Sequence, residues 1–514
     1  MIQKVKTYAN VWLEWHEIIV EADSSKSLPT IEIVGLPDAA IKESKERLRA
    51  TFRNADIRLP NRKIVLNLSP SDIKKVGTSF DLPMAVAILF LISGNKIAAP
   101  QNEYLYFWEL GLDGSVKRVN GLLPSVISAM NQGYKHFFVP EENVYELEYV
   151  PGIFIYPVNT FNQIVGYFLE KKEFHCISQA KDIEKLYQES DVHEVDFAHI
   201  KGHLIAKRAL AIAAAGLHNL IMVGAPGSGK TLLSKALPSI LPPLGFEEIL
   251  EVSQVYSIVG KLSKDVPLIT KRPFRQVHHT ASKIAIVGGG SRLTPGEVSL
   301  AHKWILFFDE LTEFPREVLE VLRQPLEDKS VVISRVAGTI QYPASFMFVG
   351  AMNPCICWYY KDPQKACSCS LLDIKRYQSK ISWPLLDRID MLLEIPREDI
   401  DKILNNIAEE NSASIRDKVI NAWRIQQKRF IWLPITSNSQ ITSKHIDELI
   451  PLDNACKEFL ATASRKLILS TRVVHRTIKL ARTIADIQWQ ENVTINHLAE
   501  AMQYRSKTMF VDTE

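Results

Sequence analysis

The sequence predicts a multidomain α/β protein whose last part is helical. Three observations carry this prediction. A glycine-rich stretch, 224–231, lies between a strand-like apolar run and a helix-like segment. A second apolar run, 304–308, ends in two carboxylates, and the residues beyond about 397 have apolar positions at helical spacing. The length of 514 residues suits about three domains.

The composition narrows the class of protein. The chain is 46% hydrophobic and 23% charged, enough for sizeable cores, and its 22 glycines and 26 prolines are near average usage, which excludes collagen-like and largely disordered chains. Its longest apolar run, 82–92, contains Pro83 and is shorter than the roughly 20 residues of a membrane-spanning helix. The N-terminus, with Glu14 and Glu17, has no apolar signal-peptide core. We therefore expect a soluble, cytoplasmic protein with no membrane partner. The net charge of +3 does not argue for nucleic acid, so such a site has to come from local patches.

The order of apolar and polar segments predicts four regions. Residues 1–172 alternate strand-like runs (30–34, 63–68 and 136–139) with helix-like stretches (37–54 and 83–92), as in a mixed α/β domain. Residues 173–195 are polar and form an expected linker. Residues 196–397 form the expected second α/β domain. Residues 398–514 form the helical domain, in which Val474, Ile478, Ala481 and Ala485 share one buried helix face.

The glycine-rich stretch fits the phosphate-loop pattern from its first to its last position. It reads Gly224, Ala225, Pro226, Gly227, Ser228, Gly229, Lys230 and Thr231. Glycines let backbone N–H groups approach phosphates, and the following helix N-terminus adds partial positive charge. Lys230 is the expected contact to the β- and γ-phosphates of ATP, and Thr231 an expected Mg²⁺ ligand. The alternative is a structural glycine turn, which the flanking strand and helix disfavour.

The carboxylates Asp309 and Glu310 close the second apolar run. A buried strand that ends at a nucleotide site would present Asp309 to Mg²⁺ and Glu310 to the attacking water. Alone, such a run is more often structural, but its position after a phosphate loop favours the functional interpretation.

Two polar residues follow at further element ends. Asn353 closes the apolar run 346–352, where its side chain could align the attacking water. Arg388 lies in the amphipathic segment 385–390 and could deliver a cation to a phosphate bound by a neighbouring subunit. Taken singly, they read as a core asparagine and a salt-bridged arginine.

The order of these motifs resembles that of AAA+ ATPases of the magnesium-chelatase and MCM type. Nearly the whole chain is similar to the ComM/YifB family, bacterial proteins long labelled magnesium-chelatase-like. The resemblance implies that Asn353 is the sensor-1 residue, Arg388 an arginine finger acting across subunits of a hexameric ring, and Arg472 the sensor-2 arginine on a C-terminal helical lid. The matching stretches are 35–38, 273–279, 288–290, 295–302, 353–355, 384–390, 470–472 and 481–486.

The same resemblance implies an insert at about 247–300 and a pore hairpin that grips DNA. The stretch 330–342 alternates apolar and polar residues and contains Gly338, where we expect the turn. Lys329 and Arg335 are the expected phosphate contacts. The alternative is a hairpin that only stabilises the fold.

The N-terminal region resembles the proteolytic domain of Lon, a ribosomal S5 domain 2-like fold. Ser79 stands where that protease carries its nucleophile, but Leu123 stands where its lysine base would be. A serine without a base is a poor nucleophile, so we expect no proteolysis and a helix-capping role for Ser79. Lys117 is the one nearby substitute for the base.

Four cysteines crowd into fifteen residues. Cys355, Cys357, Cys367 and Cys369 could enclose a tetrahedral structural Zn²⁺; free thiols are the alternative. The family pattern usually has glycine where this chain has Trp358, and another glycine is replaced by Trp383. His278 and His279 have no third ligand beside them, and Cys176 and Cys456 read as structural.

The resulting expectation is an ATP-dependent DNA motor, a hexameric branch-migration helicase that acts when transforming DNA is integrated by homology. Its cofactors would be ATP and Mg²⁺, with structural Zn²⁺, and its partner single-stranded, forked or branched DNA. One alternative is a chelatase-type ATPase that drives metal insertion into a porphyrin, which the Lon-like domain disfavours. Another is an ATP-regulated scaffold that binds DNA without moving it.

Overall fold

The chain forms two compact units. One comprises Met1–Gln188, Phe246–Ile269 and Ser334–Gln341 (the first unit), and the other Glu189–Gly245, Thr270–Ile333 and Tyr342–Glu514 (the second unit). The computed structural model describes residues 2–11, 14–71, 75, 80–94, 104–188, 194–272, 274–290, 293–335, 338–362, 364–398, 409–467 and 469–505.

A seven-stranded mixed sheet organises the first unit. Strand Glu14–Ser25 pairs antiparallel with both of its neighbours, and the remaining pairs are parallel. In spatial order the strands are Thr30–Val34, Lys63–Ser69, Glu14–Ser25, Gln3–Val11, Tyr104–Tyr106, His136–Pro140 and Phe154–Val158. A two-stranded ribbon joins Glu109–Leu110 to Val116–Lys117. The helices are Ala39–Asn54, Asp81–Ser93, Leu122–Asn131, Phe161–Glu170, Glu184–Gln188 and Phe246–Ile258.

Hydrophobic periodicity explains these elements. Ile64, Leu66 and Leu68 alternate with less buried residues along one strand and are at most 1% exposed. Helix Asp81–Ser93 is apolar on nearly every face because it is buried over most of its length. Its one buried carboxylate, Asp81, is bound by Arg47 at 2.6 Å. The α/β prediction is confirmed for this region.

The helix Phe246–Ile258 also packs within the first unit. Ser257 Oγ donates a hydrogen bond to Glu146 Oε2 over 2.6 Å, and Gly121 N donates to the carbonyl of Ser257 over 3.0 Å. Arg118 Nη2 donates to the carbonyl of Leu262 over 2.7 Å. Residues Phe246–Ile269 are therefore held to the N-terminal domain by side-chain and backbone hydrogen bonds.

A five-stranded parallel sheet organises the second unit. In spatial order the strands are Phe274–Val277, Ile305–Phe308, Met347–Met352, Leu220–Val223 and Met391–Glu394. The three central strands are buried along their whole length, as parallel strands between helical layers require. The helices are Leu204–Gly216, Lys230–Ala236, Lys283–Val287, Glu297–Leu300, Arg316–Glu320, Arg323–Asp328, Leu371–Gln378, Trp383–Leu386, Ser412–Arg429, Ile446–Leu449, Asn454–Lys466, Thr471–Ile487 and Ile495–Gln503.

One expectation needs correction here. The predicted insert 247–300 is not a separate addition throughout, because strand Phe274–Val277 is the edge strand of the central sheet. Phe274 packs its ring 5.2 Å from that of Phe307, and Arg275 pairs with Glu297 at 2.6 Å. A short antiparallel pair, Gly288–Gly289 with Thr294–Pro295, follows it.

The helices after residue 409 share a core with the sheet layer. Trp423 Nε1 donates to the carbonyl of Ala214 over 3.2 Å, which ties helix Ser412–Arg429 to helix Leu204–Gly216. The buried carboxylate of Asp486 accepts hydrogen bonds from Arg429, Arg482 and Asn438, so this charge is fully partnered. Three residues of the predicted buried helix face, Ile478, Ala481 and Ala485, are buried in helix Thr471–Ile487, and the fourth, Val474, is partly buried against the same core.

The predicted hairpin is formed by strands Ser330–Arg335 and Gly338–Pro343. Gly338, where the turn was expected, is the first residue of the second strand. None of the described helices is long and apolar enough to span a bilayer.

Candidate nucleotide-binding site

The phosphate loop follows the carboxyl end of strand Leu220–Val223 and leads into helix Lys230–Ala236. Gly227 and Gly229 have φ angles of +76° and +82°, a region that favours glycine. A Cβ atom on Gly224 would lie 2.3 Å from the carbonyl oxygen of Ile395. These three positions therefore need glycine for the backbone to take this course. The hydroxyl of Ser228 is buried without a hydrogen-bond partner among the described residues, so the loop contains a free polar atom.

Lys230 folds its ammonium group back onto the loop. Its Nζ donates to the carbonyls of Gly224 and Ala225 over 2.6 and 2.9 Å, and lies 3.4 Å from Oδ1 of Asn353. Burial lowers the pKa of Lys230 to about 8, the carboxylate of Asp309 opposes this change, and the positive charge of Arg397 reinforces it. A buried ammonium held only by neutral oxygens is suited to bind an anion.

Thr231 and Asp309 meet beside this lysine. Thr231 Oγ1 donates to Asp309 Oδ2 over 3.1 Å, which brings together a hydroxyl and a carboxylate oxygen, the hard ligands that Mg²⁺ prefers. The donor set fits a Mg²⁺ ion carried by phosphates.

Glu310 follows in a left-handed conformation, with φ at +50°, and its backbone N–H donates to Asp309 Oδ1 over 3.0 Å. This turn leaves the Glu310 side chain 58% exposed. His279 Nδ1 lies 3.9 Å from Glu310 Oε2. In the sequence, His279 belongs to a stretch that matches the family and has no further metal ligand beside it; its position opposite the glutamate had no sequence signal.

The strand order explains why these residues meet. Strand Met347–Met352 lies between the strands that precede Lys230 and Asp309, and all three run in the same direction. Their carboxyl ends therefore share one edge of the sheet, and Asn353 comes between the lysine and the carboxylate strand. We call this the loop edge. It brings together five predicted site residues: Lys230, Thr231, Asp309, Glu310 and Asn353.

Arg388 and Arg472 lie at the other edge of the same sheet. Arg388 precedes strand Met391–Glu394, and its carbonyl accepts a hydrogen bond from the side chain of Asn219, the residue before strand Leu220–Val223. Arg472 lies one helical turn before Arg476, which binds Asp390 at 2.5 Å. Strands of four residues separate the two edges by about 13 Å. The structure therefore does not bring either arginine to the loop of its own chain.

The two arginines share one carboxylate. Glu327 accepts a short hydrogen bond from Nη2 of Arg388, and its Oε1 lies 3.5 Å from Nη2 of Arg472. Arg388 is largely buried, and its Nε atom has no partner among the described residues. Its guanidinium thus keeps unused hydrogen-bonding capacity.

A cavity of about 600 Å³ adjoins these arginines and includes Lys329 and Lys479 in its lining. Burial lowers the pKa of each lysine to about 8, an effect that the carboxylate of Asp390 opposes. Lys329 therefore lies at the base of the hairpin and lines this cavity; it does not lie at the hairpin tip. Arg335, the other predicted DNA contact, ends the first hairpin strand.

The four predicted zinc ligands lie together. Their Sγ atoms are all within 4.8 Å of one another, with Cys357 at 3.4 Å from both Cys355 and Cys367. Trp358 has a φ of +75°, the left-handed conformation for which the usual glycine at this position is suited. None of the six cysteines forms a disulfide.

The expected protease residues are only partly described. Ser79 lies outside the described residues. Leu123 is fully buried in helix Leu122–Asn131, and Lys117 is exposed on a short strand.

Three family models match this chain. The model described as magnesium chelatase, subunit ChlI, matches residues 196–403, and that of the subunit ChlI C-terminal region matches 409–505. A third, described as subunit ChlI of Mg-chelatase, matches 20–143.

Two relatives match over nearly the full length. The chain is 37% identical to the competence protein ComM of Haemophilus influenzae, over 95% of this chain and 94% of that protein. It is 36% identical to the uncharacterized protein YifB of Escherichia coli, over 98% and 96%. A partial match, 28% identical, is the Lon protease of Haemophilus influenzae, over 21% of this chain and 14% of the protease.

Proposed function

We propose, because this chain belongs to the ComM/YifB family of magnesium-chelatase-like AAA+ proteins, that it hydrolyses ATP to move DNA strands. The observation that carries the ATPase part is the loop edge, where Lys230 lies 3.4 Å from Asn353 and Thr231 lies 3.1 Å from Asp309. Such a site needs little covalent chemistry, because phosphoryl transfer depends on positioning and on charge stabilisation.

The residues of the loop edge have separate tasks in this proposal. Lys230 leaves the loop carbonyls and binds the β- and γ-phosphates. Thr231 and Asp309 would hold a Mg²⁺ ion, which would supply positive charge to neutralise the phosphates. Glu310 accepts a proton from the attacking water, and Asn353 orients that water. The exposure of Glu310 leaves room for the water on its carboxylate.

The sheet edge opposite the loop edge, where Arg388 and Arg472 lie (the arginine edge), implies that the ATP site is shared between two copies. Arg388 and Arg472 are about 13 Å of sheet away from their own loop edge, so they can serve only a nucleotide bound by a neighbour. Each copy then contributes its loop edge to one site and its arginine edge to the next. This head-to-tail arrangement supports the ring, for which the family resemblance implies six subunits.

The DNA part of the proposal rests on the family and on the hairpin. A relative that matches almost the whole chain carries the name competence protein, so we place this motor in the integration of transforming DNA, in the cytoplasm, with branch migration as its reaction. Arg335 on the hairpin would contact phosphates of the strand. The N-terminal domain would be an inactive Lon-like domain, because Leu123 stands where the lysine base of that protease would be.

Two alternatives give different outcomes in the same assay. A metal chelatase, which the descriptions of the family models favour, would respond to partner subunits and ignore DNA. A scaffold would bind DNA junctions without resolving them.

The decisive experiment combines ATP with a labelled four-way junction. We expect wild-type protein to resolve the junction and the junction to stimulate hydrolysis. Glu310→Gln should retain bound ATP but lose hydrolysis by about 100-fold or more, the usual contribution of a general base. Glu313→Gln, an exposed carboxylate three residues away, is the matched control.

The outcomes separate the alternatives. Junctions that stay intact with ATP while DNA binding is saturated would contradict the motor. Full hydrolysis by Glu310→Gln would contradict the role of that residue. The hairpin contact is tested by Arg335→Ala, which should weaken junction binding and lower its salt slope by about one unit.

A further inference from the structure

The cysteine cluster has the dimensions of a site for one metal ion. Zinc bound by four thiolates at about 2.3 Å places neighbouring sulfur atoms about 3.8 Å apart. The Sγ–Sγ distances between Cys355, Cys357 and Cys367 are 3.4, 3.4 and 3.8 Å. Thiols this close without a disulfide are packed around a common centre.

Backbone N–H groups support the same sulfur atoms. The N–H of Cys357 donates to Sγ of Cys369 over 3.4 Å, and that of Tyr360 donates to Sγ of Cys355 over 3.3 Å. Such bonds stabilise the negative charge of metal-bound thiolates and fix their orientation. The cluster thus has both the ligands and the surrounding hydrogen bonds of a structural zinc site.

The loop between the cysteine pairs binds Arg397. The Arg397 guanidinium lies over the ring of Tyr359, 5.4 Å from its centroid, and Nε is 3.6 Å from Oδ2 of Asp362. Asp362 is 4% exposed and Arg397 28%, so the carboxylate is buried and the guanidinium is partly exposed. Among the described residues, Arg397 forms no other ion pair.

Arg397 also lies at the phosphate loop. It follows strand Met391–Glu394, whose carboxyl end belongs to the loop edge. Arg397 and Asp362 line a narrow cleft together with Gly224 and Ala225. The positive charge of Arg397 is near enough to lower the pKa of Lys230. Two cations therefore face one loop, an arrangement that a bound anion would stabilise.

We infer that Cys355, Cys357, Cys367 and Cys369 bind one Zn²⁺ ion, and that the zinc-bound loop positions Arg397 as a further nucleotide-phosphate ligand. The part that concerns Arg397 rests on the proposed ATPase function. Tyr359 and Asp362 are positioning residues, since they act through Arg397. Loss of zinc would loosen the loop and release the arginine, so metal content and nucleotide affinity are coupled.

The test measures zinc content and the affinity for a fluorescent ADP analogue, neither of which needs hydrolysis. Wild-type protein prepared without chelator should contain about one zinc per chain, the stoichiometry of a four-thiolate site. Arg397→Ala should keep the zinc and lose about tenfold in affinity, the usual effect of removing a charged hydrogen bond. Arg376→Ala, an exposed arginine outside the cleft, is the matched control.

Two further variants test the coupling. Cys367→Ser with Cys369→Ser should lose the zinc and lose a similar factor in affinity, and adding Arg397→Ala should cause no further loss. Tyr359→Leu keeps every cysteine, so it should retain zinc and still weaken ADP binding, even if the cysteine variant fails to fold.

Each result separates this inference from the proposed function. Absence of zinc, unchanged affinity of Arg397→Ala, or multiplied losses in the combined variant would overturn the inference while leaving the ATPase intact. A wild-type protein that carries zinc but binds no nucleotide would overturn the proposed function and the role of Arg397 together. Lys230→Ala provides the reference for lost nucleotide binding.

Discussion

Glu327 accepts a short hydrogen bond from Arg388 at the sheet edge that faces away from the phosphate loop of the same chain. Its second oxygen, Oε1, lies 3.5 Å from Arg472 and is the closest anion to Arg472 among the described ion pairs. One carboxylate thus occupies the two cations that a neighbour's phosphates would need. If the ATP site is shared between copies as proposed, a neighbour's phosphate would compete with Glu327 for the same guanidinium groups.

Removing this charge should favour the neighbour's nucleotide. We expect Glu327→Gln to lower the KM for ATP by up to about tenfold, because the lost partner is a charged hydrogen-bond acceptor. Steady-state hydrolysis as a function of ATP concentration measures this. Asp328→Asn, an exposed acid at the next position, should leave KM unchanged. A raised KM for Glu327→Gln would mean that the glutamate supports the site and does not compete with it.

The separation of the two edges predicts complementation between inactive variants. Arg388→Ala and Lys230→Ala should each hydrolyse ATP at least 100-fold more slowly than wild type, since each removes one half of a shared site. Mixing them should restore part of the activity, because some interfaces join an intact Lys230 to an intact Arg388. Phosphate release from the mixture is the measurement. No recovery across mixing ratios, in variants shown to co-assemble, would place Arg388 outside the site.

The buried ammonium of Lys230 predicts a pH dependence of nucleotide binding. Its pKa of about 8 means that the free protein loses this proton as the pH rises above 8, whereas bound phosphate needs the charged form. The Kd for ADP should therefore be constant below pH 8 and rise by up to about tenfold per unit above it. Isothermal titration should show proton uptake in that range. Lys230→Arg keeps its charge and should give a flat profile; a flat wild-type profile would contradict the assignment.

The lowered pKa of Lys230 affects folding stability in the direction opposite to its effect on nucleotide binding. Between the folded pKa of about 8 and the ordinary value of 10.5, the unfolded chain binds more protons at Lys230. This residue alone therefore makes the protein more stable as the pH rises through that window.

Backbone strain at Trp358 predicts a stability order. Its left-handed φ of +75° costs a side-chain-bearing residue about 1–2 kcal/mol. Trp358→Gly should therefore be more stable than Trp358→Ala by about 1 kcal/mol, measured by denaturant unfolding. At Trp383, which opens a short helix, the order should reverse, because glycine disfavours helix by about 1 kcal/mol relative to alanine. The same stability order of the Gly and Ala variants at both positions would show that backbone strain does not determine that order.

Local patterns predicted much of the fold. The strand Thr30–Val34 has the predicted bounds, and the strand and helix around the phosphate loop lie where the motif requires them. These elements depend on alternation, capping and glycine conformation within a few residues. The edge strand Phe274–Val277 was missed because its partner is more than twenty residues away and its sequence Phe-Arg-Gln-Val resembles a polar loop.

The residues of the candidate site fall into the same two groups: those that the sequence could predict and those that it could not. Lys230, Thr231, Asp309 and Asn353 belong to motifs with a chemical reason, so the sequence located them. Glu327, His279 and Arg397 have no local pattern, and only the strand order brings them to the arginines, to Glu310 and to the loop. Trp358 is intermediate: the departure from glycine was visible, and the structure gives its conformation.

The common direction of the five strands has a consequence for counting. Each copy has one edge with the loop and one with the arginines, so under the proposed shared site an open linear assembly of n copies would hold n − 1 complete sites and one unused half-site at each end. Closing the linear assembly into a ring would add one site without adding a subunit. In a titration of protein concentration, activity per chain should therefore rise steeply from the monomer, then ever more slowly as open assemblies grow, and stay constant once every assembly has closed into a ring.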